Sequence, residues 1–490
     1  MATAGCFAGR PRARPDRSLT VPITTDLAAF VAGLTLDALP PEVVARTRLL
    51  ALDLVGVAVR ARHDAESTPA LLAAVAALGL GAGTAGVFGD VAGYAPAGAA
   101  LVNGTLGHSL DFDDTHAAAI VHAGAPIIPA ALAAAEMTGA GGADVLPAIV
   151  AGFEVALRLA LALPAGAHYD RGFHPSATCG AFGAAAAAAR VFRLSPERVE
   201  AAFGIALSQS AGSLQFLANG AWTKRFQVGW AGMAGLVAAT LAREGFKGAA
   251  EPIEGKHGFL RSYAPSPDPD RVLRDLGTAF ELMGTGVKPY PSCRWAHAGI
   301  DAALALRAEY GLRGEEIESA TLGLSRAALL LVGEPADKKA DPRNVVDGQF
   351  SGPFVVAVAL ATGTMDWSSY RLLDDPAIRA VLPRIRCEHD REIEAEFPAN
   401  MSGKLTVRAR GESFVRTVMV PKGEPANFPS EAEFRAKFAG LVDGVIGADA
   451  GHELAEAVLR FDESADLGEL FRLARPATQH APGSRLEAAE

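Results

Sequence analysis

Between Gly104 and Pro126 the chain sets His108, Asp111, Asp113, Asp114, Thr115, His116 and His122 into surroundings otherwise rich in alanine and poor in charge. Read as a helix from Ser109 to His116, the segment places His108, Asp111 and Thr115 at i, i+3 and i+7, so three hydrogen-bonding groups share one face. Asp113 and Asp114 then fall on other faces, and Asp113 can pair with His116 three residues on. Three carboxylates within four residues repel one another, so some must meet cations or backbone donors.

Three further stretches carry polar chemistry. Phe173-His174-Pro-Ser176-Ala-Thr178-Cys179-Gly180 puts a histidine and two hydroxyls at a helix start, where free backbone N–H groups favour an anion. Trp222-Thr-Lys224-Arg225 brings adjacent cations to the opening of an apolar helix. Gly284-Thr-Gly-Val-Lys288-Pro-Tyr290-Pro-Ser-Cys293-Arg294-Trp-Ala-His297 crowds Lys, Tyr, Cys, Arg and His into one loop.

Together these give several histidines, at least one carboxylate and the cations Lys224, Arg225, Lys288 and Arg294. Such an inventory suits a substrate bearing several carboxylates. Elimination of water from a β-hydroxy acid needs a base for the α-proton, an acid for the hydroxyl and cations for the carboxylates. Epimerisation and decarboxylation draw on the same groups. His108, Asp111, Asp113, Asp114 and His116 are all metal ligands by type, but no H-E-x-x-H or facial-triad spacing is present, so no metal is expected. Cys293 lacks the sequence context of a covalent nucleophile.

The elements that must hold these groups are mostly helical. Of the 490 residues, 50% are hydrophobic and only 7% aromatic, so alanine and leucine dominate and closely packed helices follow. Helices are expected at Leu27–Leu34, after Pro40-Pro41, at Ala45–Val59, Leu71–Leu78, Ile127–Met137, Val145–Leu163, Ala177–Val191, Val199–Ser210 and Trp230–Arg243. Thr24 and Ser195 read as N-caps. Strand character appears at Ile317–Leu324 and in two alternating runs about Gly411, 404–410 and 413–420, the best hairpin in the chain. Helices return at Glu431–Val445 and His452–Arg460.

The fold class expected is therefore mainly α with an inserted α+β domain: a helical domain from 21–283 and 427–475, with an α+β lid at 284–426. Residues 1–20, carrying Arg10, Arg12, Arg14 and Arg17, and 476–490 read as flexible tails. The net charge of -10 offers no basic stripe for nucleic acid. Four scattered cysteines fit reduced thiols in a cytoplasm. The uncharged run Ala117–Ala135 is broken by His122, Gly124, Pro126 and Pro129 and reads as a buried helix, not a membrane span.

At Asn103-Gly104, His108-Ser-Leu-Asp111-Phe-Asp-Asp-Thr115, His122-Ala-Gly-Ala-Pro126, His174-Pro-Ser-Ala-Thr-Cys-Gly180, Thr223-Lys-Arg225, Lys288-Pro-Tyr-Pro-Ser-Cys-Arg-Trp-Ala-His297 and Gln349-Phe-Ser-Gly-Pro-Phe354 the sequence resembles the MmgE/PrpD family. That family includes 2-methylcitrate dehydratase, cis-aconitate decarboxylase and iminodisuccinate epimerase. The resemblance spans roughly residues 25 to 470. It implies a cofactor-free pocket between a helical domain and an α+β lid, a small di- or tricarboxylate substrate and a homodimer. It also implies His174 as the first choice for proton transfer, with Asp111, His122 and Lys288 as catalytic partners. Thr115, Lys224, Arg225, Arg294 and His108 would bind substrate, while Asp113, Asp114 and His116 brace the wall from behind. His116 and Phe354 depart from residues common in the family, and Phe354 lacks the hydroxyl of a Tyr. A dehydratase-like lyase is the expected activity, with epimerisation of an imino- or amino-dicarboxylate or cis-aconitate-type decarboxylation as alternatives.

Overall fold

Small side chains decide how the helices of this protein meet. In the computed structural model, which describes residues 22–397 and 399–476, the alanine- and glycine-rich helix Pro175–Val191 is buried along its whole length. Helices Gly142–Ala162 and Thr223–Arg243 pack against it. A Cβ on Gly183 would lie 2.7 Å from the carbonyl of Gly152, and one on Gly235 would lie 2.5 Å from the Ala184 Cβ. Backbones approach this closely only where no side chain intervenes. Gly104 and Gly229 make a second such contact, between helix Pro96–Gly107 and helix Thr223–Arg243. These crossings bring the ends of several helices to one place.

Two buried apolar clusters form. One gathers residues from Ile23 to Val287 and again from Phe434 to Ala474; the other runs from Cys293 to Ala409. The late helices Glu431–Ile446 and Ala448–Leu459 thus return to the first cluster, where Phe438 packs on Gly56 of helix Pro41–Asp64. Helix Gly142–Ala162 is long and apolar enough to cross a membrane by length and composition, yet its apolar window is 94% buried against neighbouring helices. It is a core helix.

The second cluster is built on a mixed sheet of β1 (Ile317–Leu324), β2 (Ile385–His389), β3 (Gly403–Ala409) and β4 (Glu412–Val418) in the order β2-β1-β3-β4. β1 pairs parallel with β2 and antiparallel with β3. Ala409 faces Glu412 across the β3–β4 turn, whose Arg410 and Gly411 have φ of 55° and 74°. Two successive left-handed residues make the tight turn that matches strand twist. Helices His297–Tyr310 and Gly352–Thr362 cover one face. The chain is thus mainly α with a small α+β region.

Several local expectations are corrected. The segment 109–116 is not helical: the helix stops at Gly107, and Asp111 takes a left-handed φ of 53°. The two helices expected after Pro40 and over Ala45–Val59 are one, Pro41–Asp64, because nothing between them breaks the pattern. Thr24 caps nothing; its hydroxyl donates to Glu254 from inside helix Ile23–Gly33. Ser195 precedes Pro196 as expected but makes no side-chain cap. The helix expected from Trp230 begins at Thr223, and that expected from Ile127 begins at Gly124. The tails assigned at 1–20 and, beyond Pro476, at 476–490 lie outside the described residues.

Gly235→Ala should cost about 1–3 kcal/mol by overpacking. Urea denaturation would read this as a lower midpoint at unchanged slope, and a wild-type midpoint would contradict the close helix contact.

Candidate functional site

The helix Pro96–Gly107 ends in a loop, and that loop carries the ionisable cluster. An irregular buried loop must find donors for its carbonyls outside any helix or sheet. Here they come from side chains and from one strand-like neighbour. The Leu110 carbonyl accepts from Gln349 Nε2 at 2.8 Å, that of Asp111 from Lys288 Nζ at 2.7 Å, and that of Phe112 from Lys437 Nζ at 2.8 Å. The Asp114 carbonyl accepts from His122 Nδ1 at 2.8 Å. Thr115 exchanges backbone hydrogen bonds with Gly286, and its carbonyl also accepts from Arg294 at 3.3 Å. The loop is therefore fixed by groups from the 286–294 segment, from Gln349 and from helix Glu431–Ile446.

Asp111 sits at the centre. Its Oδ1 lies 2.5 Å from Lys224 Nζ and its Oδ2 lies 3.0 Å from Lys288 Nζ. The left-handed backbone, which Asp tolerates better than most residues, lets one residue offer carbonyl and carboxylate to Lys288 together. Burial alone would raise the Asp111 carboxyl, but Lys224 and Lys288 overcome it and hold the group well below the usual carboxylate range. It stays ionised at neutral pH, a form that can accept a proton but has none to give. Burial would lower Lys224, and Asp111 reverses this. Arg225 is half-buried nearby; burial lowers it, and Asp111 acts against that shift.

Three histidines flank these charges. His108 and His122 meet edge to face with ring centres 4.6 Å apart, and His108 lies 6.1 Å from His174. The buried Asp113 joins two of them: Oδ2 is 2.7 Å from His108 Nδ1 and 3.5 Å from His122 Nδ1. Asp113 thus pairs with His108 and His122, not with His116 as the helical spacing suggested. His116 instead accepts from the Ala119 N–H and packs over Gly284. Asp114 accepts from the backbone N–H groups of Ala123 and Gly124, so it holds the start of helix Gly124–Thr138. Thr115 Oγ1 is 3.3 Å from His122 Nδ1. Burial pushes His108, His122 and His174 well below the ordinary imidazole value, and carries His116 down to about 4.

Arg294 is used differently from the substrate contact expected of it. It pairs with Glu424 and holds the Thr115 carbonyl, which commits its guanidinium to joining segments. Cys293 is buried and its thiol pushed up by burial, which disfavours a thiolate nucleophile. Phe354 is fully buried beside Tyr370, whose hydroxyl donates to the Pro291 carbonyl. Ligand atoms of His108, Asp113 and His122 lie within 4.8 Å of one another and are the residues that could gather a cation. Both His Nδ1 atoms, however, already hydrogen-bond to oxygen, and two lysine cations stand on the adjacent Asp111. The lysines favour an anion beside Asp111, while His108 Nε2 and Asp113 Oδ1 are buried without a partner.

Sequence reasoning missed Lys437, Asp53 and Gln227. Lys437 Nζ is 2.5 Å from Asp53 Oδ1 and 2.8 Å from the Lys288 carbonyl, so this pair supports Lys288 from behind. Asp53 is the one charged residue between Leu49 and Val59, a signal the sequence did offer. A surface groove of about 690 Å³, lined by Gly212, Ser213, Phe216, Phe226, Gln227 and Trp230 among others, is mostly apolar. It meets the cluster only where Gly212, Phe216 and Gln227 touch His174, and it holds none of the lysines.

Comparison with known proteins places this geometry in context. The MmgE/PrpD N-terminal domain matches residues 25–272 and the MmgE/PrpD C-terminal domain matches residues 290–463. A cis-aconitate decarboxylase-like protein of Aspergillus oryzae is 28% identical over 474 residues, covering 92% of this chain and 97% of that protein. A cis-aconitate decarboxylase of Aspergillus terreus is 25% identical across 92% of this chain and 95% of its own length. The cis-aconitate decarboxylase of Mus musculus is 24% identical across 95% and 96%.

Asp111→Asn should lower stability by on the order of 3 kcal/mol, because it strands two largely buried cations. Lys224→Met should cost less, since Asp111 keeps Lys288; thermal melts that rank the two the other way would contradict the clamp. The imidazoles give a second expectation. A histidine whose folded value is depressed stays neutral as pH falls through the ordinary value of about 6.5. In histidine-selective 15N spectra, the signals lost in His122→Asn and His174→Asn should keep neutral shifts from about pH 8 to about pH 6. Titration centred near 6.5 would refute the buried assignment.

Proposed function

The chain belongs to the MmgE/PrpD family, and from that premise we propose that it is a lyase acting on a small tricarboxylate, releasing one carboxylate of a cis-aconitate-like substrate as CO2. The observation that carries this is the pair Lys224 and Lys288 on one ionised carboxylate, beside imidazoles that burial keeps neutral. In the free protein Asp111 partly neutralises the lysines, which lowers the cost of burying them and holds both ammonium groups in place. Substrate carboxylates share those ammonium groups, and Arg225 adds a third cation.

When the C–CO2 bond breaks, its electron pair passes into the conjugated system toward a remaining carboxylate. Charge developing there is stabilised by donors already in position, the lysines and a neutral imidazole N–H. One proton is then added at carbon. His122 is suited to relay it: with Nδ1–H bound to the Asp114 carbonyl, the Nε2 lone pair takes a proton from solvent and delivers that same proton to carbon, which returns the ring to its neutral form.

That lone pair also supports a second reading, dehydration of a β-hydroxy acid. There His122 takes the α-proton and the departing hydroxyl receives a proton. The two differ in what leaves.

Purified protein offered cis-aconitate, citrate, methylcitrate, tartrate and iminodisuccinate should release CO2 from cis-aconitate. Alkene formation from a hydroxy acid without CO2 would favour dehydration, and exchange of the α-proton alone would favour epimerisation. His174→Ala or Lys288→Ala should each reduce turnover by on the order of 100-fold with the circular dichroism unchanged, as expected on losing an acid/base group. Near-wild-type rates in both variants would remove these residues from the site.

A further inference from the structure

Gln227 lies one turn beyond Lys224 on helix Thr223–Arg243, and its buried amide is bonded on three sides. Oε1 accepts from the Ser213 N–H at 2.8 Å, and Nε2 donates to the Ser213 carbonyl at 3.2 Å. Ser213 therefore determines which end of the amide is oxygen: turned over, it would set NH2 against N–H and C=O against C=O. The remaining Nε2 hydrogen faces His174 Nδ1 at 2.8 Å. A donor there obliges Nδ1 to accept, so a neutral His174 carries its proton on Nε2.

His122 is wired the other way. Its Nδ1 stands 2.8 Å from the Asp114 carbonyl, which can only accept, so its proton is on Nδ1 and Nε2 presents a lone pair. Two imidazoles in contact with one and the same His108 ring thus hold opposite tautomers. The ionisable groups nearest His174 are His108, Lys224 and His168, and no carboxylate touches it among the described residues.

We propose that Gln227 is a positioning residue that fixes His174 as a neutral hydrogen-bond donor and leaves proton acceptance to His122. The division of labour rests on the lyase reading above; the tautomers do not. Gln227 acts through its hydrogen bond to His174. It acts as the residue behind a catalytic histidine does when it sets the tautomer, except that an amide donor imposes the form opposite to that set by a carboxylate. A neutral imidazole offering N–H to a developing oxyanion is an established way to stabilise charge. Lys224 and Gln227, three residues apart on one helix, therefore serve the same substrate, one directly and one through His174.

Neutron diffraction from deuterium-exchanged wild-type crystals should find deuterium on Nε2 of His174 and on Nδ1 of His122. Deuterium on Nδ1 of His174 overturns the proposal, whatever the protein's activity. Gln227→Glu supplies an acceptor and should reverse the tautomer, reducing kcat about 100-fold with KM changed less than about threefold. The loss should shrink at low pH, where His174 is protonated on both nitrogens. Gln227→Met, which only removes the donor, should cost about tenfold. A Gln227→Glu enzyme with wild-type kcat at neutral pH overturns the division of labour, as does a Gln227→Met enzyme slower than Gln227→Glu. If neither variant folds, deuterium on Nε2 of His122 in the wild type still overturns it. If no substrate is turned over by wild type, the lyase reading fails while the neutron result still decides the tautomers.

Discussion

A buried loop without secondary structure must have its carbonyls satisfied from elsewhere, and much in this protein follows from how that is done. From Leu110 to Thr115 the donors are Gln349, Lys288, Lys437, His122, Gly286 and Arg294. Lys288 and His122 are also groups to which the proposed reaction assigns work. The same hydrogen bonds that keep the loop folded hold these side chains in place, so local structure and reactivity are one arrangement. Asp111 shows this most plainly, since its left-handed backbone presents main chain and side chain to a single lysine.

Charges in an apolar interior survive only when paired, and the protein pairs them in layers. Asp111 answers Lys224 and Lys288 in front, Asp113 answers His108, and Asp53 answers Lys437 farther back. Each inner pair lets the one in front keep its charge or its tautomer. Closely crossing helices make room for this. Gly229 lets helix Thr223–Arg243 reach Thr105, just before the loop, and so brings Lys224 and Gln227 to it. Bulkier residues there would hold that helix away from Asp111.

Much of this was legible in sequence because it was local. β1 occupies the residues whose strand character announced it, and Gly411 lies in the tight turn it marked. The motifs around Asp111, His174, Lys224 and Lys288 lie side by side in the fold. The helical spacing assigned to 109–116 failed because periodicity says nothing of how three neighbouring carboxylates will be satisfied. They are met by two histidines, two backbone amides and two lysines, all from outside the 109–116 segment. Gln227 and Lys437 were invisible for a related reason. Each sits in an ordinary amphipathic helix, and only its partner across the fold gives it meaning.

The Lys437 contact bears on the order in which the chain becomes competent. Asp53 and Lys437 are 384 positions apart, and Phe112 and Lys437 are 325 apart. Loop closure over such separations is slow compared with helix formation, and during synthesis the N-terminal helices are exposed long before Lys437 emerges. Until then Asp53 stands in an apolar helix without its cation and the Phe112 carbonyl without its donor. The nascent first cluster therefore lacks the ammonium that holds the Phe112 carbonyl, and the Asp111 clamp gains that support only once Lys437 has been made.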